Sequence, residues 1–154
     1  MEPRAPRPKT SRPRDELGRP LPRGADNRLQ LEDFDALPLE ENHRLGRAHF
    51  NGGRFFPAHE AWETAWKQAK GTPEEEFFKG LSQLGAGYVH WRRGNPHGAR
   101  TLLRRGVSRI RAFGPAHRGV DVEAVVEAAS AHAEAFDAVE RSGGALPEVS
   151  PPTV

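Results

Sequence analysis

Apolar side chains recur every three or four residues through most of the chain, and this spacing predicts α-helices rather than strands. Five such stretches are separated by breaks that contain Gly or Pro, at residues 38–51, 55–69, 72–93, 95–113 and 121–141. Because the connections are short, neighbouring helices should run antiparallel. The sequence therefore predicts an all-α fold of about five helices, either an up-and-down helical bundle or a stack of helical hairpins.

Both ends of the chain lack this periodicity. Residues 1–30 are rich in Pro and Arg and carry almost no large apolar side chains. Such a segment buries too little apolar surface to offset the entropy of ordering it, so a disordered basic arm is expected. Gly and Pro residues predict a second disordered tail at 143–154, which leaves one helical domain at 31–142. The apolar stripe of the fifth helix fits either the bundle or a second subunit, so a homo-oligomer stays open.

The second predicted helix combines large aromatic side chains with two ionisable ones on a single face. Phe55, His59, Trp62, Glu63 and Trp66 follow one another at spacings of three and four, which places all five on that face. Burying a carboxylate or an imidazole costs several kcal/mol unless a partner compensates it. A helix that only filled a core would carry Leu or Ala at these positions, so the stripe indicates a functional site.

The third helix carries a stripe of small and polar residues beside its apolar one. The stripe consists of Gly80, Gln83, Gly87, His90 and Gly94. Glycine inside a helix is unfavourable by up to about 1 kcal/mol, and its usual benefit is the close approach of a backbone or a ligand. Since helices two and three should pack antiparallel, we expect four polar side chains to converge between them, with Glu60 at the margin: His59, Glu63, Gln83 and His90.

This polar cluster has two interpretations. In the first, His59, Glu63 and His90 bind a divalent metal such as zinc, iron or manganese, or share a proton. Glu60 is then the general base and Gln83 orients the substrate of a hydrolase. In the second, His59 and Glu63 form a buried hydrogen-bonded pair that only orients helices. The sequence does not decide between them.

The charges are unevenly distributed although the 154-residue chain carries a net charge of only +2. Residues 77–120 contain no Asp or Glu, whereas they include eight arginines and one lysine. Arg100, Arg104 and Arg111 fall on an outward side of helix four, which suggests an anion-binding surface for nucleic acid or a phosphorylated ligand. No aromatic side chains interleave with these arginines, so nucleic-acid recognition is only weakly supported.

Composition restricts the remaining classes of function. The chain has no cysteine, which rules out disulfides, thiolate metal sites and a Cys nucleophile. No apolar run approaches the roughly 18 residues that a membrane span needs. The basic start of the chain is not followed by the apolar core of a secretory signal. A cytoplasmic protein without a membrane partner is expected.

The run FNGGRFFPAHEAWETAW at residues 50–66 is similar to the signature of the uncharacterised family called domain of unknown function 309. Two later runs, at residues 78–84 and 93–99, resemble the same family, and the resemblance covers roughly residues 40–113. It implies a small all-α bundle of bacterial and archaeal type and no particular activity. The family usually has an acidic residue where Pro57 stands, which weakens the metal interpretation. The motif adds Asn95 to Trp62 and Trp66 as candidate residues of a small-molecule pocket.

Overall fold

The computed structural model describes residues 13–154 and confirms an all-α fold. Its five helices are α1 (Leu39–Asn51), α2 (Phe55–Gln68), α3 (Glu75–Arg92), α4 (Pro96–Ile110) and α5 (Val122–Ser142). Single 3-10 turns occur at Phe34–Ala36 and Arg111–Phe113. Within the described part of the chain, the only β-type pairings are two isolated bridges. None of the helices described is both long enough and apolar enough to cross a membrane.

Side-chain hydrogen bonds mark where α4 and α5 begin. The Asn95 side chain accepts a hydrogen bond from Gly98 N at 3.1 Å, and Asp121 accepts one from Ala124 N at 3.0 Å. Each bond satisfies a backbone N–H that has no partner inside its helix. After α5, Gly143 adopts a left-handed conformation with φ 76°. α3 starts later than residue 72, because the Thr72 hydroxyl accepts from Glu74 N in the preceding turn.

The helices pack in sequence order, so each one lies mainly against the helix before it and the helix after it. α3 lies at the centre, and its apolar face forms the core with Phe50, Trp62 and Phe136. The closest seam joins α3 to α4, where Gly80 and Gly106 face each other. A Cβ atom at Gly106 would lie 2.8 Å from the Gly80 carbonyl oxygen, so the glycines allow the two backbones to approach.

The described part of the predicted basic arm is folded against the bundle, which corrects the expectation of disorder for residues 13–30. Asp15 is buried and accepts hydrogen bonds from Leu17 N and Arg19 N at 2.9 and 2.8 Å. Arg93, at the end of α3, donates to the Leu17 carbonyl at 2.9 Å. These polar contacts order a segment that has few apolar side chains. Residues 1–12 lie outside the described part of the chain.

The predicted tail is also an ordered segment. Residues 143–154 run without regular secondary structure along the bundle, and Val154 belongs to the core. Leu146 and Val149 pack against the same core. Hydrophobic burial at three separated positions thus orders a segment whose Gly and Pro content alone predicted disorder.

Candidate functional site

The predicted His59–Glu63 pair forms on the outer side of α2. His59 Nε2 lies 3.3 Å from Glu63 Oε2, one helical turn away. The other ring nitrogen, Nδ1, is 2.9 Å from both the carbonyl oxygen and the hydroxyl oxygen of Ser82 on α3. The two side chains are 24% and 22% exposed, so both reach solvent. The pair therefore links α2 to α3 and keeps an accessible edge.

Gly85 explains how the two helices come close enough for these bonds. A Cβ atom at position 85 would lie 3.1 Å from the His59 backbone nitrogen, which is tighter than ordinary van der Waals contact. Gly85 is thus the glycine that lets α2 approach α3 closely. It does not belong to the predicted stripe of small and polar residues on α3.

Gln83 and His90 are held by α4 and its cap, which corrects the expected convergence with the His59–Glu63 pair. Gln83 Oε1 accepts from Arg109 Nε at 3.0 Å, and His90 Nδ1 accepts from the Asn95 amide at 3.0 Å. The reason is that the glycine stripe faces α4. A Cβ atom at Gly87 would lie 2.7 Å from Leu103, on the α4 side of α3.

His90 nevertheless lies near enough to His59 to respond to its charge. Burial lowers the pKa of His90 below its ordinary value, and the positive charges of Arg93 and His59 lower it further. A protonated His90 is therefore disfavoured. The neutral ring is the form that accepts the hydrogen bond from Asn95.

The predicted metal ligands do not form a coordination set. Within residues 13–154, no group of three or more His, Cys, Asp or Glu side chains is placed to hold one metal ion. His59 and Glu63 are adjacent, but His90 is directed to Asn95. The residues present therefore do not fit a zinc, iron or manganese centre. Glu60 is half-buried on α2, and its role as a general base stays a prediction.

Trp62 is a core side chain whose single polar atom is already used. It is 0% exposed, and its Nε1 donates to His43 Nδ1 at 3.1 Å. His43 Nε2 in turn donates to the Arg118 carbonyl at 2.9 Å, so the neutral imidazole is fully hydrogen-bonded. This position does not support a pocket role for Trp62. His43 was not among the predicted site residues, although Gly46, one turn later on α1, makes room for the indole.

Trp66 and Asn95 both use their polar atoms within the fold. Trp66 is half-buried, and its Nε1 donates to Glu75 at 3.3 Å while Lys79 Nζ lies 4.9 Å from the ring centre. Asn95 caps α4 and contacts His90. Their pocket roles stay predictions.

Two of the three predicted anion-binding arginines are paired with acids of α5. Arg100 Nε lies 2.6 Å from Glu140 and 3.3 Å from Asp137. Arg104 Nη2 lies 3.3 Å from Glu134 and 3.7 Å from Asp137. Hydrogen bonds from Arg100 and His97 hold the pKa of the Glu140 carboxyl below its usual value. Arg100 and Arg104 thus obtain their counter-charges from the next helix.

The other three arginines between residues 101 and 113 include one that is paired with an acid and two that are not. Arg109 bonds to Gln83 and pairs with Glu76. Arg105 and Arg111 form no ion pair with any residue of 13–154, and both are exposed. Ser108 is exposed between them, one turn from each. We call Arg105, Ser108 and Arg111 the arginine ridge.

Two open surface cavities flank the arginine ridge. The larger, of about 530 Å³, is lined by Arg105, Ser108 and Phe113, among others. The smaller, of about 230 Å³, includes Ser108, Arg111 and Ser130 of α5. Ser108 lines both cavities. Arg105 and Arg111 thus line different cavities, and each cavity also has an acidic residue in its lining, Glu76 in the larger and Glu134 in the smaller.

Comparison with known proteins confirms the family resemblance and adds no activity. Residues 43–102 match the model of a family described as Domain of unknown function (DUF309). No curated protein and no solved structure matches the chain. The matched region contains the His59–Glu63 pair and ends before the arginine ridge. The ridge is therefore a feature of this chain outside the matched region.

Proposed function

We propose that this chain is a non-enzymatic helical interaction module that binds the phosphate backbone of a nucleic acid through the arginine ridge. The observation that supports the proposal is the separation of paired from unpaired arginines. Arg100, Arg104 and Arg109 have acidic partners, whereas Arg105 and Arg111 have none among residues 13–154. We place this function in the cytoplasm.

The chemistry of the ridge suits a phosphate ligand. The planar guanidinium group presents a fork of donors that matches two phosphate oxygens, and it stays charged at all physiological pH values. A serine hydroxyl between two such groups adds a neutral donor, as is common in contacts to a nucleic-acid backbone. Because Arg100 and Arg104 already pair with carboxylates, each contributes less to phosphate binding than an unpaired arginine does.

The proposal predicts that charge removal at two places on one helix has different effects. We expect Arg105→Gln/Arg111→Gln to weaken binding of a short fluorescein-labelled oligonucleotide roughly tenfold or more, because two phosphate contacts are lost. Fluorescence anisotropy at fixed, near-physiological salt measures the affinity. Arg100→Gln/Arg104→Gln removes the same formal charge and is the matched control, with a smaller expected loss.

Two results count against the proposal. An equal loss in both double variants would mean that binding follows net charge alone, and undetectable binding by the wild-type chain would remove its basis. His59→Ala should bind the oligonucleotide as the wild type does, since His59 lies on α2 and contacts α3 rather than the ridge.

Acid–base hydrolysis at the His59–Glu63 pair is a second candidate function. The observation that favours it is a solvent-reaching imidazole, oriented by Ser82 on one side and contacted by a carboxylate on the other. In this proposal His59 transfers the proton, Glu63 orients the ring, and Glu60 is a further candidate base.

A hydrolase screen against ester and phosphoester substrates tests this candidate. Any activity should disappear in both His59→Ala and Glu63→Ala at a melting temperature close to that of the wild type. Ser82→Ala removes the hydroxyl contacts to His59 Nδ1 and to the His59 carbonyl but keeps the Ser82 carbonyl, so it should retain part of the activity. Activity that survives both of the first two variants would exclude the pair as the site.

A further inference from the structure

The segment of residues 143–154 crosses from the end of α5 to α1 and is held by side chains of α1 and α3. Trp91 Nε1, near the end of α3, donates to the Pro147 carbonyl at 3.0 Å. On α1, the Asn51 side chain makes two bonds to one residue of the segment. Its Nδ2 donates to the Val154 carbonyl at 2.9 Å, and its Oδ1 accepts from Val154 N at 2.8 Å.

These bonds recognise backbone and not side-chain identity. Every hydrogen bond that α1 and α3 make to the segment ends on a backbone atom, including the bond from Arg47 Nε to the Val154 carbonyl at 3.3 Å. The side chains that face the bundle are apolar: Val154 is 4% exposed, and Leu146 and Val149 pack on the core. The polar side chains of the segment point outward and are exposed: Glu148, Ser150 and Thr153.

Backbone bonds combined with shallow apolar contacts are the way in which proteins bind extended peptides. Proline-containing segments suit this mode, because their restricted backbone has less conformational entropy to lose on binding. The segment contains Pro147, Pro151 and Pro152, and its two last prolines are half-buried. The surface formed by Arg47, Asn51 and Trp91 thus has the chemistry of a peptide-binding site, and we call it the peptide groove.

We infer that the peptide groove binds extended, proline-containing segments of partner proteins and that the chain's own residues 146–154 occupy it in cis. A tethered ligand has an effective concentration in the millimolar range, so a partner peptide must displace it. The segment is therefore a built-in competitor. The groove lies on α1 and α3, apart from the arginine ridge on α4 and the 3-10 turn that follows it, and this inference does not depend on the proposed nucleic-acid binding.

Cleavage of the folded full-length chain tests the inference. Gly143 has open space around it and Gly144 is exposed, so a specific protease site inserted between them should be cut without disturbing the helices. The probe is a fluorescein-labelled synthetic peptide of residues 144–154, made both with a free and with an amidated end, because Arg47 and Asn51 contact the Val154 oxygen. We expect the cut protein to exchange its own segment for the probe and to bind it at least tenfold more tightly than the uncut protein does.

Two variants of the cut protein locate the probe. Asn51→Ala removes both hydrogen bonds from the Asn51 side chain to the main chain of Val154 and should weaken probe binding about tenfold or more. Arg44→Ala, an exposed residue of α1 that pairs with Glu41, is the matched control and should leave binding unchanged.

Three results would overturn the inference. A cut protein that does not bind the probe overturns the inference, because either the folded groove does not accept a separate peptide or, where circular dichroism shows that the helices are lost, the fold requires the covalent segment. Equal binding in Asn51→Ala and Arg44→Ala places the probe elsewhere. An uncut chain that is a dimer in solution, and that Val149→Asp converts to a monomer, shows that the segment fills the groove of a second copy instead.

Discussion

Replacing Gly106 by valine is expected to destabilise the fold by about 3 kcal/mol or more, because overpacking at a rigid contact forces backbone shifts. A Cβ atom at this position would lie 2.8 Å from the Gly80 carbonyl oxygen and 2.7 Å from Leu84 Cγ. The backbone oxygen cannot move away as a flexible side chain would. Urea unfolding followed by circular dichroism measures the change in the free energy of unfolding.

Ser108→Val is the matched control for this variant. It places the same β-branched residue in the same helix at an exposed position, so it tests helix propensity without the contact to α3. We expect a change within about 0.5 kcal/mol for the control. If Gly106→Val and Ser108→Val had the same small effect, α3 and α4 would not approach as the structure places them.

The second large effect is a loss of stability between pH 7 and pH 5. Burial lowers the pKa values of His43, His90 and His132 in the folded protein. In the unfolded chain an imidazole takes up a proton near pH 6.5. Below that pH the unfolded state therefore binds more protons than the folded state, so stability is full above about pH 6.5 and falls as the pH decreases.

The size of this effect is set by the number of histidines that stay neutral in the fold. Each contributes up to about 1.4 kcal/mol per pH unit, so a total loss of about 1–3 kcal/mol is expected by pH 5. The carboxyl groups of Asp15 and Glu74 also have lowered pKa values, because hydrogen bonds from Arg19 and Arg118 outweigh the effect of their burial. Their contribution is lost only at more acidic pH, nearer 4.

Urea unfolding at several pH values measures the slope. The variant Tyr88→Phe/His132→Phe removes one of the three histidines together with the hydroxyl that bonds to its Nδ1 at 2.7 Å. Neither partner is then left unsatisfied. The stability of this variant should depend less on pH than that of the wild type. A wild-type stability that stays constant or rises from pH 7 to pH 5 would contradict the burial of these rings.

The helices could be predicted from the sequence because their signals are local. Apolar spacing, the caps at Asn95 and Asp121 and the glycine after α5 each act within a few residues. The His59–Glu63 contact could be predicted for the same reason, since one helical turn separates the two residues.

Contacts between helices were harder to predict because the sequence does not show which neighbour a stripe faces. Gly80 and Gly87 indicated that another helix approaches α3 closely. The helix that packs against these glycines is α4, not α2. Gln83 and His90 bond to Arg109 and Asn95 on that side, whereas His59 bonds to Ser82 and contacts Glu63. The ordered segment after α5 was missed because Leu146 and Val149 belong to no periodic pattern.

The direct test of the central claim is the salt dependence of oligonucleotide affinity. The slope of the logarithm of the binding constant against the logarithm of the salt concentration counts the phosphates that the protein neutralises. We predict that Arg105→Gln/Arg111→Gln reduces this slope by about 1.5–2, and that Arg100→Gln/Arg104→Gln reduces it by clearly less. Equal slopes for the wild type and Arg105→Gln/Arg111→Gln would show that the arginine ridge does not contact the phosphates.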